Sequence, residues 1–210
     1  MDSDSGQRFN CRVVAVQEGL VTIEVEGSED AEGVLMKNEV ILICPRGTDQ
    51  KLRGEVLRVR GATAEAQVFE ETRGVSVGDP VEQTGGMLSA ALGPGLLGQV
   101  YDGLQSPLET VATKYGFFLP RGIDMDALNP ETKWHFTPKV RTGAKVRAGD
   151  VIGTVQEGRY THKIMVPFGQ AGDVEVDWVQ QGDFPVNTPV VRIRDDRGIE
   201  QELTMVQRWP

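Results

Sequence analysis

The string Gly93-Pro94-Gly95-Leu96-Leu97-Gly98 fits the spacing G-x-G-x-x-G. In dinucleotide-binding proteins that spacing brings backbone N–H groups and a helix N-terminus up to a pyrophosphate. The chemistry needs a strand before the glycines and a helix opening on them. Here Gln99-Val100-Tyr101-Asp102 reads as extended and reaches another glycine, Gly103, while Pro94 removes one backbone donor. The string therefore reads as a structural turn. His135 and His162 are the only histidines, with no cysteine near them in sequence, and metal ligation needs three or four convergent ligands. Cys11 and Cys44 are too few for a metal cluster and do not suggest a disulfide scaffold. Asp124 and Asp126, and likewise Asp195 and Asp196, read as solvated turn residues. No Gly-x-x-x-x-Gly-Lys-Ser/Thr loop occurs, so the backbone cradle, lysine and Mg²⁺-binding hydroxyl of P-loop hydrolysis have no carrier here. No His-Glu-x-x-His or EF-hand loop occurs either. The sequence reading assigns no catalytic, cofactor-binding or metal residue.

One lysine admits a different chemistry. Val140–Ile152 has the rhythm V-x-x-G-x-x-V-x-x-G-D-x-I, continued by Val166-Pro167, Gly169, Gly172, Val174 and Gly182-Asp183. This resembles the barrel-sandwich of lipoyl and biotinyl carriers, whose lysine stands at an exposed hairpin tip. Lys163 lies between His162 and Ile164, without the Asp-Lys-Ala or Met-Lys-Met setting of those carriers. The fold echo stands, and a carrier or binding module using Lys163 is the alternative function.

The elements around these residues are short strands. In Val21-Thr22-Ile23-Glu24-Val25-Glu26 apolar and polar residues alternate, the period of a strand with one buried face. Arg12–Val16 precedes it across a turn, and Glu39–Cys44, apolar through Val40, Ile41, Leu42 and Ile43, stops at Pro45. Leu52–Arg60 and Thr63–Glu70 flank Gly61-Ala62 as a hairpin, and Gly74–Val81 closes the series. Such spacing predicts a small closed barrel. One helix is expected after Ser106, an N-cap followed by Pro107 and Glu109. Leu108, Val111, Ala112 and Tyr115 form its apolar face and Gly116 its stop. Further strands are expected at Lys139-Val140, Lys145-Val146, Val151–Val155, Thr161–Val166, Gly172–Trp178, Val190–Arg194 and Glu200–Gln207.

Composition sets the outer bounds. With 25 glycines and 11 prolines in 210 residues the chain turns often, which excludes a helical bundle. A formal charge of −9 argues against a nucleic-acid partner. A mean hydropathy of −0.28, with no apolar run of spanning length and no amino-terminal h-region, points to a cytoplasmic protein.

Several longer strings then act together: Glu70-Glu71-Thr72-Arg73-Gly74-Val75, Leu92–Gln105, Lys133-Trp134-His135-Phe136-Thr137-Pro138, Gly149–Gly153, His162–Pro167 and Gln207-Arg208-Trp209-Pro210. In order and spacing they resemble the amino-terminal third of the catalytic A subunit family of archaeal/vacuolar-type rotary ATPases. The resemblance implies a mainly β architecture with a short helix. Residues 1–85 would be the N-terminal β-barrel and 86–116 a segment leading into the nucleotide-binding domain. Residues 117–187 would be a β-rich, barrel-sandwich-like insertion (the bulge), and 188–210 return strands of an incomplete α/β domain. It implies as partners B subunits and other A subunits of a hexamer, with a peripheral stalk reached through the bulge. The membrane would be met only indirectly, through the assembled complex. The parent family uses ATP and Mg²⁺ for proton or sodium transport. The family's P-loop and catalytic glutamate follow the Arg-Trp-Pro string and have no matching position in these residues, so the chain alone is expected to be inactive and to carry no cofactor.

Overall fold

The computed structural model describes residues 11–26, 35–116, 118, 120–123 and 125–210. They form two compact units, one of residues 1–89, 115–124 and 210, the other of residues 90–114 and 125–209.

In the first unit, β1 (Cys11–Gln17), β2 (Leu20–Val25), β3 (Glu39–Ile43), β4 (Leu52–Arg60), β5 (Thr63–Val68) and β6 (Pro80–Met87) close a barrel in the order β1-β2-β5-β4-β3-β6. Every neighbouring pair is antiparallel, and closure comes from Cys11 opposite Val81 and Arg12 opposite Pro80. The alternation seen in sequence points Val21, Ile23 and Val25 inward, where they meet Val13, Ile41, Ile43, Leu52 and Val56 in one core. Register shifts in β1, β3 and β4 supply the extra bend that a small barrel needs. The last strand starts at Pro80, later than the expected Gly74; residues 73–74 and 77–78 are turns. Arg121 fastens a remote segment to this unit. Its guanidinium donates to the carbonyls of Glu71 (2.9 Å) and Arg73 and to Gln50 Oε1 (2.9 Å), and the Gly122 N–H donates to Glu70 Oε1 (2.6 Å).

The second unit begins with β7 (Ala90–Leu92); after it comes α1 (Leu108–Tyr115), the one helix among the described residues, ended by Gly116 at φ 88°. Then follow β8 (Lys133–Pro138), β9 (Lys145–Val146), β10 (Val151–Glu157), β11 (Tyr160–Met165), β12 (Val174–Val179), β13 (Gly182–Pro185), β14 (Val191–Arg194), β15 (Glu200–Leu203) and β16 (Gln207–Trp209). Two four-stranded sheets, β11-β10-β8-β13 and β15-β14-β12-β9, share one core. Phe136, Val155 and Ile164 come from the first sheet, and Val176, Val191, Ile193 and Leu203 from the second. Gly153 is required where it stands, because a Cβ there would lie 2.2 Å from the Phe136 ring.

Two expected strands are revised. Lys139-Val140 is not a strand; β8 ends at Pro138, and Lys139 donates its N–H to the Ile152 carbonyl at 2.9 Å. Glu200–Gln207 breaks at Thr204–Val206, where the Thr204 side chain bonds the Val206 backbone, so β15 stays with β14 while β16 pairs with β7.

Candidate functional site

The glycine-rich string follows β7 as a turn, and no helix opens on it. Gly95 (φ 106°) and Gly98 (φ 80°) are in the left-handed region that favours glycine, and a Cβ on Gly93 would come within 3.0 Å of both Leu128 and the Met205 carbonyl. This backbone aims two N–H groups at one point. Gly95 N (2.7 Å) and Leu97 N (3.1 Å) both donate to Glu157 Oε1, a carboxylate brought by the last residue of β10. The second oxygen, Oε2, lies 3.2 Å from His162 Nδ1 on β11. Glu157 is 6% exposed, so its charge is compensated by directed donors instead of water. Tyr101 belongs to the same surroundings. Its hydroxyl donates to the Ala127 carbonyl at 3.0 Å, and burial first, then the Glu157 charge, pushes its phenol above the usual range.

The strand-loop-helix frame of a pyrophosphate site is thus not what surrounds the string. The cradle exists, but the chain's own carboxylate fills it. Glu157 is not visible in the sequence as a site residue, since nothing local distinguishes it from other strand-end glutamates. Its partners stand 60 and 62 residues away.

The remaining residues singled out in the sequence lie apart. His135 Nδ1 meets Asp183 Oδ1 at 3.0 Å across the β8–β13 pair, with both side chains largely exposed. Lys163 is exposed in mid-strand opposite Thr154; the tip of the β10–β11 hairpin is Gly158-Arg159. A carrier lysine belongs at the tip, so the geometry does not favour the alternative function. Cys11 is buried in the barrel core, and Cys44 is half-buried just after β3; both thiols are free. Burial, then the Glu39 and Glu26 charges, pushes the Cys11 thiol up to about 11, and burial raises Cys44 as well. Asp195 takes the N–H groups of Arg197 (3.0 Å) and Ile199 (2.7 Å) in a turn, and Asp196 is exposed beside it. Asp126 is exposed, and Asp124 lies outside the described residues. Among the described residues no group of three or more His, Cys, Asp or Glu side chains could hold a metal ion, and no helix is long and apolar enough to cross a membrane.

Two further buried carboxylates sit in the barrel. Glu39, 1% exposed, accepts the N–H groups of Met36 and Gly85, both at 3.0 Å. Asp79, 2% exposed, accepts those of Ser76 (2.8 Å) and Arg46 (3.3 Å). No buried side-chain polar atom among the described residues lacks a partner.

Two family models match in tandem, on the two units just described. The ATP synthase alpha/beta family beta-barrel domain matches residues 21–85, and the ATP synthase alpha/beta subunit barrel-sandwich domain matches residues 125–210. The chain belongs to the ATP synthase alpha/beta family. Within it, the chain is similar to V-type ATP synthase alpha chains. It is 51% identical to alpha chain 1 of Treponema pallidum over 85% of this chain and 30% of the relative. It is 43% identical to that of Treponema denticola over 95% and 33%, and 48% identical to that of a Thermoanaerobacter species over 77% and 27%. The chain thus spans about a third of the length of the curated relatives it matches. Membership in the ATP synthase alpha/beta family accounts for both the closed barrel and the barrel-sandwich core. It also gives the carrier-like rhythm of Val140–Ile152 its place, as a fold shared without the carrier's lysine chemistry.

Proposed function

We propose that these residues are an assembly portion of the catalytic subunit of a V/A-type ATP synthase or ATPase. Residues 1–85 form the barrel that joins neighbouring B and A subunits into a hexameric ring. Residues 117–187 present the bulge to the peripheral stalk, and 86–116 and 188–210 adjoin the nucleotide-binding domain. The whole complex couples ATP hydrolysis or synthesis to proton or sodium transport, and sits on the cytoplasmic side, held to the membrane only through its other subunits. ATP and Mg²⁺ act outside these 210 residues, which carry no catalytic group of their own. The tandem of barrel and barrel-sandwich matches, on a chain similar over most of its length to V-type alpha chains, is the observation that supports this reading.

Mixing the 210-residue chain with the B-type subunit of the same complex tests it, by light scattering after gel filtration. A mixed species that disappears when barrel-surface residues are substituted is expected. Separate elution of the two proteins at every concentration would refute the assembly role.

A further inference from the structure

We propose that the Gly93–Gly98 loop is an anion nest that carries its own anion, with Glu157 standing where a free carboxylate or phosphate oxygen would bind and keeping such ligands out. Consecutive or alternate N–H groups converging in a glycine-rich turn form a concavity that takes anions. Here Gly95 N and Leu97 N converge on a single oxygen, Glu157 Oε1, at 2.7 and 3.1 Å. The occupant comes from a hairpin on the sandwich and not from the loop itself. His162 Nδ1, at 3.2 Å from the other oxygen, holds it from the far side. At 6% exposure the carboxylate is closed to bulk water, so the nest and its occupant are a self-contained pair. The loop backbone is committed to this arrangement. A side chain on Gly95 would be strained at φ 106°, and one on Gly93 would press on Leu128 and the Met205 carbonyl. The Tyr101 phenol, whose proton is held more tightly by burial first and then by the Glu157 charge, and His162 also face this carboxylate. The consequence is an autoinhibitory contact. A turn with the spacing of a phosphate-binding loop is kept from phosphate by a residue from elsewhere in the same unit. The loop keeps this form while that side chain is in place.

Glu157→Ala empties the nest without altering the loop sequence. In the intact 210-residue chain, hydrogen exchange at Gly95 and Leu97 is expected to quicken at least about tenfold in Glu157→Ala, because a lost buried acceptor leaves two donors unpaired. Added sodium acetate or inorganic phosphate is expected to slow it again and to move those two amide resonances. The wild-type resonances are expected to stay unmoved by either salt up to tens of millimolar. Wild-type amides that shift with acetate or phosphate would overturn the proposal, since the nest would then be open. So would a Glu157→Ala chain whose two amides exchange as in the wild type, or quicken but respond to neither anion. Should Glu157→Ala fail to fold, Glu157→Gln keeps the side-chain shape and one acceptor oxygen while removing the charge. Faster exchange confined to Gly95 and Leu97 would support the proposal, and unchanged exchange there would overturn it.

Discussion

The barrel and the barrel-sandwich solve the same problem, burying short β-strands, in different ways. In the barrel every strand has a neighbour on both sides, so no edge is left. The sandwich leaves four edges, at β11, β13, β15 and β9. The β15 edge is dressed in charge. Arg192 and Arg194 on β14 reach across to Glu202 (3.1 Å) and Glu200 (3.5 Å) on β15, and both also meet Asp177 on β12. Inside, the two differ again. The barrel's buried carboxylates, Glu39 and Asp79, take pairs of backbone N–H groups, whereas Glu157 takes two N–H groups and a histidine. In both units, then, buried charge pins loops that repetitive strand pairing cannot reach.

The comparison predicts where each unit breaks. The largest effects should come from the sandwich core. Phe136→Ala removes a fully buried ring and should cost about 3–5 kcal/mol. Gly153→Ala forces a Cβ into that same ring and should cost about 1–3 kcal/mol or more. In calorimetry both should lower the transition of the sandwich, while hydrogen exchange of the β1–β6 amides should stay unchanged; equal loss in both units would erase the distinction. Next come the barrel carboxylates. Glu39→Gln turns one acceptor into a donor facing an N–H group, with an expected loss of about 1–3 kcal/mol by urea denaturation.

Cys11 gives a pH-dependent test. Its folded-state thiol value, about 11, lies above the reference of 9.0, so the fold prefers the protonated thiol. That contribution is fully present below pH 9 and is lost as pH rises from 9 toward 11. Cys11→Ala should flatten this part of the stability profile, and native Cys11 should react with a thiol reagent more slowly than Cys44. The smallest effect should be on the charged edge. Arg192→Ala is exposed enough that its loss should stay below about 1 kcal/mol and shrink further in high salt.

The strands of the barrel were legible because a period of two at Val21–Val25 and an unbroken apolar run at Val40–Ile43 are local signals. The helix was legible from its apolar spacing and from Gly116, although of the expected face only Val111 is buried and Ala112 and Tyr115 are exposed. β8 was missed because Lys133-Trp134-His135-Phe136 buries only Phe136 fully, so no clear alternation is visible. β15 and β16 were merged because the break at Thr204–Val206 rests on a side-chain hydroxyl bond, without glycine or proline to mark it. The glycine string could be read from sequence as a turn, but its hydrogen-bond partner was invisible there. A nest is defined by what occupies it, and Glu157 arrives from another strand. Glu39 and Asp79 escaped for the same reason, their role being set by donors that converge only in the folded chain.

A glycine loop already occupied by Glu157 leaves no place for a nucleotide phosphate. Titrating Mg²⁺-ATP into the isotope-labelled 210-residue chain while following the Gly95 and Leu97 amides tests this most directly. Both resonances should stay fixed, and calorimetry should show no saturable heat. Saturable, Mg²⁺-dependent shifts at those two amides would contradict it.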